Sequence, residues 1–281
     1  MISISSSILL QQITDSISAH YEASEARAIA FRCLDLGWNL SSMDIILKKE
    51  VDLPADWSLR MARLAGGEPL QYVMGKTYFR NHLFSLNSDT LIPRPETEEL
   101  VDLVLRHAPK NASVLDVGTG SGCIPISLKL ERPSLKVEAW DISVGALEVA
   151  RQNAQALGAV VEFREQDIFT WPSVEGSWDI IVSNPPYVTQ DEAKEMAKHV
   201  LDYEPHLALF VPNDDALRYY EALADFALAR LTPRGYLCLE INQHFGTQTV
   251  ELLFRKGFQE VKLLQDFKGN DRMIVAQKSG L

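Results

Sequence analysis

Cysteine is scarce in this chain. The three present, Cys33, Cys123 and Cys238, are odd in number and far apart. That argues against a disulfide framework and reads as buried or incidental thiols in a reducing, cytoplasmic compartment. The six histidines are scattered. No cysteine or histidine pair has zinc spacing, so no metal is expected. No stretch approaches the roughly 20 apolar residues of a membrane-spanning helix. The start, Met1 to Leu10, has neither a basic leader nor a long apolar core, which argues against a signal peptide. Positive charge is also short: 27 Lys and Arg against 38 Asp and Glu give a formal net charge of −11. A protein whose main partner is nucleic acid usually carries a basic face, so no direct nucleic-acid binding is expected. Internal repeats are lacking, and low-complexity sequence is limited to a short serine cluster at the start.

What is present has an ordinary globular composition. The 281 residues are 46% hydrophobic and 23% charged, enough for a sizeable core in one or two domains. The front reads as helical. Ile8, Leu9, Ile13 and Ile17 recur at helical spacing, and a second pattern from about Ser24 to Leu36 stops at Gly37. Ser41 to Asp44 opens a third helix with a capping-box pattern. Pro54 starts a fourth, which ends at Gly66-Gly67. Short helices with short links imply a small bundle, residues 1–74, whose role is contact with a partner, as in substrate recognition, or covering a cleft. Residues 75–95 read as a hairpin linker, Tyr78 to Phe84, with a polar turn at Arg80-Asn81. Pro95 and the acids after it start a helix. Arg94, fixed between Pro93 and Pro95, is expected to help line a cleft.

Residues 96–281 alternate strands and helices, which implies a mostly parallel sheet with an antiparallel edge. Ser113 to Val117 is a buried strand, followed by Gly118-Thr119-Gly120-Ser121-Gly122 and a helix. A strand, a glycine turn and a helix let backbone approach a ligand closely. Cys123 stands where a dinucleotide fingerprint has its third glycine, which disfavours a nicotinamide oxidoreductase. Asp141 ends the next strand, roughly 20 residues on, where an acid meets a ribose hydroxyl pair. Its two oxygens match two hydroxyl donors; the competing role is to cap the following helix. Asp167, Ile168 and Phe169 follow the third strand, placed to meet a purine's edge and face. Between Tyr187 and Pro205 the chain reads as an irregular, acid-rich rim.

The rest is organised around Asn184-Pro185-Pro186-Tyr187, directly after the buried strand Trp178 to Ser183. Two prolines stop both ladder and helix and push Asn184 towards an extended conformation. The result is a rigid corner at a strand's carboxyl end, where ligands of open α/β sheets bind. The Asn184 oxygen and the Pro185 carbonyl can both accept from one planar NH2 group, with Tyr187 against its plane.

Together, the Val114 to Gly122 loop and the Asn184 to Tyr187 corner resemble class I S-adenosylmethionine-dependent methyltransferases acting on a planar nitrogen. Adding Leu91-Ile92-Pro93-Arg94-Pro95-Glu96-Thr97-Glu98, Gln71-Tyr72 and the helical front, the chain resembles the PrmC/HemK family over nearly its whole length. Those are protein-(glutamine-N5) methyltransferases of class I peptide-chain release factors, modifying the Gly-Gly-Gln glutamine. The resemblance implies a Rossmann-like, seven-stranded sheet with an antiparallel last strand. It implies S-adenosyl-L-methionine held by Gly118 to Gly122 and Asp141, with S-adenosyl-L-homocysteine as product. Many relatives carry Trp against the adenine where this chain has Ile168, so Phe169 is the ring left for that contact. Three alternatives share features: a ribosomal-protein glutamine methyltransferase, an adenine-N6 DNA methyltransferase, and a catalytically silent binding module.

Overall fold

The computed structural model describes residues 3–173 and 175–280. Met1 and Ile2, the first residues of the start read above as leader-free, lie outside the described residues. The chain divides into two units, Met1–Thr77 with Ala197–Tyr203, and Tyr78–Met196 with Glu204–Leu281.

The smaller unit holds α1 (Ser6–Ile17), α2 (Ala23–Trp38), α3 (Ser42–Ile46), α4 (Trp57–Ala65) and α5 (Leu70–Met74). Leu9, Ile13, Ala26, Ala30, Cys33 and Leu34, at helical spacing, are fully buried. The capping box of α3 forms: Ser41 Oγ accepts from the Asp44 N–H at 3.2 Å, and Asp44 Oδ2 accepts from the Ser41 N–H at 2.9 Å. Gly37 lies inside α2 rather than ending it. The stop is Asn39, in the left-handed region at φ 53°, whose N–H caps the Asp35 carbonyl. Asparagine tolerates that conformation nearly as glycine does. A short antiparallel pair, Ser3–Ser5 with Glu50–Asp52, was not legible in the sequence.

The hairpin of strands Lys76–Phe79 and His82–Ser85 carries the unit boundary. Arg80 and Asn81 sit at φ 46° and 62°, the two left-handed residues of the turn that matches strand twist. Arg80 then pairs with Asp102 at 2.8 Å and with Glu131.

In the larger unit β1 (Ser113–Val117), β2 (Lys136–Asp141), β3 (Glu162–Glu165), β4 (Trp178–Ser183), β5 (Leu231–Glu240), β6 (Gln259–Gln265) and β7 (Asp271–Gln277) form one sheet. Its order is β6-β7-β5-β4-β1-β2-β3, and only β7 runs antiparallel to its neighbours. Neighbouring residues of the central strands bury on opposite faces. Ile180 and Val182 join Val114 and Cys238 under α6 (Pro95–His107) and α7 (Cys123–Glu131). Ile181 joins Leu115 and Leu239 under α10 (Arg218–Arg230) and α11 (Gly246–Lys256). That double burial is why these strands read as unbroken apolar runs. The order reverses between β1 and β4, whose ends Val117 and Ser183 are in register. The fold therefore opens a crevice there.

The segment after the corner is more structured than its charge suggests. Val188–Thr189 pairs in parallel with Phe210–Val211, and α9 (Lys198–Tyr203) belongs to the smaller unit. Two of its acids turn inward. Glu204, 1% exposed at its side chain, takes the Arg94 guanidinium at 2.7 Å, and Glu192 accepts from the Thr189 N–H at 2.8 Å.

Candidate active site

The glycine loop is built from left-handed backbone: φ is 77° at Gly118, 55° at Gly120 and 79° at Gly122. At Gly122 a side chain is also barred by space, since a Cβ would stand 2.9 Å from Ile126 and 3.1 Å from Ala150. The loop is tied to the end of β2, with the Gly118 and Thr119 N–H groups donating to the Trp140 carbonyl at 2.9 Å. Asp141 Oδ2 accepts from the Gly120 N–H at 2.8 Å and Oδ1 from the Ser143 N–H at 2.9 Å. Capping of α8 (Val144–Leu157) falls instead to Ser143, whose Oγ accepts from the Ala146 N–H. Asp141 is thus left to the loop and the cleft. Burial raises its pKa, opposed by the Ser143 and Gly120 hydrogen bonds.

Under the loop sits a set of unmet polar groups. Both Asp116 carboxyl oxygens and the Thr119 and Ser121 hydroxyls are buried without a hydrogen-bond partner among the described residues. Burial pushes Asp116 up to about 7. The Asp141 charge acts the same way, and the nearby Thr119 hydroxyl pulls down without completing a hydrogen bond. An uncompensated carboxyl beside a backbone loop suits a ligand that brings positive charge.

The Asn-Pro-Pro corner meets this loop from β4. Ser183 Oγ donates to the Val117 carbonyl at 2.6 Å and locks the two strand ends together. Asn184, Pro185 and Pro186 line a cleft of about 550 Å³ with Gly118, Gly120, Asp141, Asp167 and Ile168. The corner is braced from behind. Asn184 Nδ2 donates to Thr97 Oγ1 at 3.2 Å, and Thr97 Oγ1 donates to Glu240 Oε2 at 2.7 Å. The Tyr187 hydroxyl donates to Glu240 Oε1 at 3.2 Å, and Asn242 Nδ2 donates to the Tyr187 carbonyl at 3.1 Å. Burial pushes Glu240 up to about 7, with Thr97, Arg272 and Tyr187 opposing. Burial and the Glu240 charge raise the Tyr187 phenol.

At the far end of the cleft Ile168 is only 6% exposed and packs into the core, while Phe169 is 40% exposed and lines the cavity. Arg218 lies 4.8 Å from the Phe169 ring centre and the Tyr219 ring 5.1 Å from it. Asp167 Oδ1 accepts from the Phe169 N–H at 2.9 Å.

The corner, the loop and both acids named from the sequence therefore share one cavity. Thr119, Ser121 and Gly122 shape the loop without lining the cleft, Tyr187 turns its hydroxyl inward to Glu240, and Arg94 is engaged with Glu204 away from the lining. Sequence reasoning passed over Thr97, Glu240, Asn242 and the Arg218–Tyr219 pair. Glu240 had a usable signal, an acid ending a buried strand as Asp141 does. Thr97 had only its place in the Leu91 to Glu98 segment, because a threonine in a first helical turn otherwise reads as a cap.

The family model described as Methyltransferase small domain matches residues 97–205. A release factor glutamine methyltransferase from Bacteroides thetaiotaomicron is 42% identical across 95% of this chain and 98% of its own length. One from Flavobacterium psychrophilum is 39% identical across 94% and 95%. The crystal structure of a methyltransferase from Pyrococcus furiosus superimposes with a TM-score of 0.54 at 18% identity, covering 79% of this chain and 99% of that one. That likeness concerns the fold alone. With relatives this similar over nearly the full length of both chains, the protein belongs to the release factor glutamine methyltransferases.

Proposed function

We propose that the protein transfers the methyl group of S-adenosyl-L-methionine to the side-chain amide nitrogen of the Gly-Gly-Gln glutamine in a class I peptide-chain release factor, in the cytoplasm. The observation that carries this reading is a single cleft lined by both the glycine loop and the Asn-Pro-Pro corner. The residues fit the donor. Asp141 keeps a second lone pair on each oxygen for ribose hydroxyls, Phe169 offers a ring face to the adenine, and the unpaired Asp116 carboxyl favours a cationic ligand. When bound, the donor supplies a methyl carbon already activated by sulfonium sulfur.

The chain's own work is alignment. An amide nitrogen is a weak nucleophile because its lone pair is shared with the carbonyl. Asn184 Oδ1 and the Pro185 carbonyl accept its two N–H bonds and fix its direction towards the methyl carbon. Both hydrogen bonds strengthen as the nitrogen gains positive charge, so they favour the transition state over the ground state. Among the described residues neither histidine nor cysteine lines the cleft, and the proton leaves to water after transfer. Residues 1–74 serve as the substrate-recognition module.

Incubation with labelled methyl donor and a panel of release factor, ribosomal protein and DNA tests this reading. The label is expected on the release factor, and peptide mapping should place it on the Gly-Gly-Gln glutamine. Label on DNA or on the ribosomal protein alone would overturn it.

A further inference from the structure

An asparagine side chain has an acceptor end and a donor end of nearly identical shape. A corner that grips an NH2 group works only if the oxygen faces the cleft. Turned round, it would present N–H to N–H. The residues that decide this lie behind the corner, outside the cleft lining.

Thr97, in the first turn of α6, carries one hydroxyl proton. That proton goes to Glu240 Oε2 at 2.7 Å. The Thr97 oxygen is then limited to accepting, so the Asn184 group facing it at 3.2 Å has to be the NH2. Oδ1 is left for the cleft. The same logic holds on the other arm, where the Tyr187 hydroxyl donates to Glu240 Oε1 at 3.2 Å. A carboxylate is the one common side-chain group that accepts on both oxygens and donates on neither. Thr97 and Glu240 are almost fully buried, at 2% and 1% exposure. This is costly ground for a carboxylate. A brace between β5 and α6 could be made more cheaply from apolar groups.

We infer that Thr97 and Glu240 are positioning residues that set the polarity of the Asn184 amide, holding its oxygen towards the substrate carboxamide. The inference rests on the glutamine-methylation reading for its purpose, although the hydrogen-bond direction does not. Charge state enters directly. A protonated Glu240 could donate to Thr97, free the threonine proton for Asn184 and reverse the amide. The groups facing Glu240 are Thr97 and Glu96 on α6, Tyr187 at the corner and Arg272 on β7, with the Tyr220 phenol of α10 and the Cys123 thiol of α7 also within its field. Burial and Glu96 favour the neutral form, and Thr97, Arg272 and Tyr187 the charged one. Turnover should accordingly fall on the acid side of about pH 7.

The test uses the full chain with Thr97→Val, Thr97→Ser and Glu240→Gln. Valine keeps the shape and removes the hydroxyl. A glutamine must turn an NH2 towards one of the two donors. With donor and release factor saturating, Thr97→Val and Glu240→Gln are expected to lose about 10²-fold in kcat, the scale of a small misplacement at a reacting centre. Donor Kd should stay within about twofold, and Thr97→Ser should recover most of the rate, as expected when one hydrogen bond sets the geometry. The acid limb of the wild-type profile should flatten in Glu240→Gln. A second readout does not need turnover. The Asn184 side-chain NH2 resonances, identified by their loss in Asn184→Asp, should shift in Thr97→Val and return in Thr97→Ser. If Thr97→Val does not fold, Glu240→Gln carries both expectations. Should the wild type methylate no glutamine, the proposed function fails and the resonances still decide the relay. Unchanged resonances in Thr97→Val and Glu240→Gln, or a serine variant as impaired as the valine one, would overturn the inference.

Discussion

Ile168 and Phe169 stand at one end of the cleft, where the proposed adenine contact would fall. Both residues line the cleft, but Ile168 is mostly packed into the core, while Phe169 is the more open, with the Arg218 guanidinium 4.8 Å from its ring centre. A base stacked on an aromatic ring gains about 1–3 kcal/mol. Phe169→Ala should therefore weaken methyl-donor binding by about that amount by calorimetry, with little change in melting temperature. Ile168→Ala should in addition cost about 2–5 kcal/mol of stability through the cavity it leaves. If Phe169→Ala binds donor as tightly as the wild type, the ring has no part in the adenine site. Sequence alone placed both residues beside the purine. It could not say which one turned outwards, because that depends on the irregular turn after β3.

The elements that were legible each carry a local signal. β1 and β4 are buried on both faces, so their bounds follow directly from apolar runs. Gly158 ends α8 in the left-handed region at φ 70°, as a glycine stop should. The hairpin turn at Arg80-Asn81 was readable from its two polar residues. The stretch from Tyr187 to Pro212 was not. Its strands are two residues long, below the reach of any period, and its acids look solvated until Glu204 is seen paired with Arg94. The same pairing explains why Arg94, though held between two prolines, is not part of the cleft lining. Arg94→Ala would strand a buried carboxylate. We expect a destabilisation below the roughly 3–5 kcal/mol of a fully buried pair, since the Arg94 side chain is 32% exposed. Chemical denaturation reads this directly. An unchanged midpoint would mean that the pair holds nothing.

On the scale of the molecule, the charge network gives stability a definite pH dependence. Asp116 and Glu240 have folded values raised to about 7 by burial. Each contributes stability that is complete below its unfolded value and is lost as pH rises through about 7. Asp179 and Glu192 are shifted the other way, held down by hydrogen bonds from Ser113 and Asn242 that outweigh the cost of burial. Their contribution is present above the unfolded carboxylate range and is lost as pH falls. Melting temperature should therefore peak on the acid side of neutrality. The double variant Asp116→Asn, Glu240→Gln should flatten its decline between the unfolded carboxylate range and about pH 7, and an undiminished decline there would refute this assignment. The aromatic centre of the second core face, Phe226 among Trp140, Trp171 and Trp178 at ring distances of 5.2, 5.5 and 5.8 Å, underlies the sheet throughout. Phe226→Ala should cost about 3–5 kcal/mol at any pH.

In the proposed mechanism the proline-locked corner aims a carboxamide nitrogen at the methyl carbon of a donor bound at the glycine loop. Parallel determination of kcat on a release factor and of donor Kd for Asn184→Ala addresses it most directly. A kcat lower by about 10²–10³-fold is expected, the scale of removing one well-placed polar group at a reacting centre, with donor Kd changed far less. Turnover at the wild-type rate, or a loss explained wholly by weaker donor binding, would contradict it.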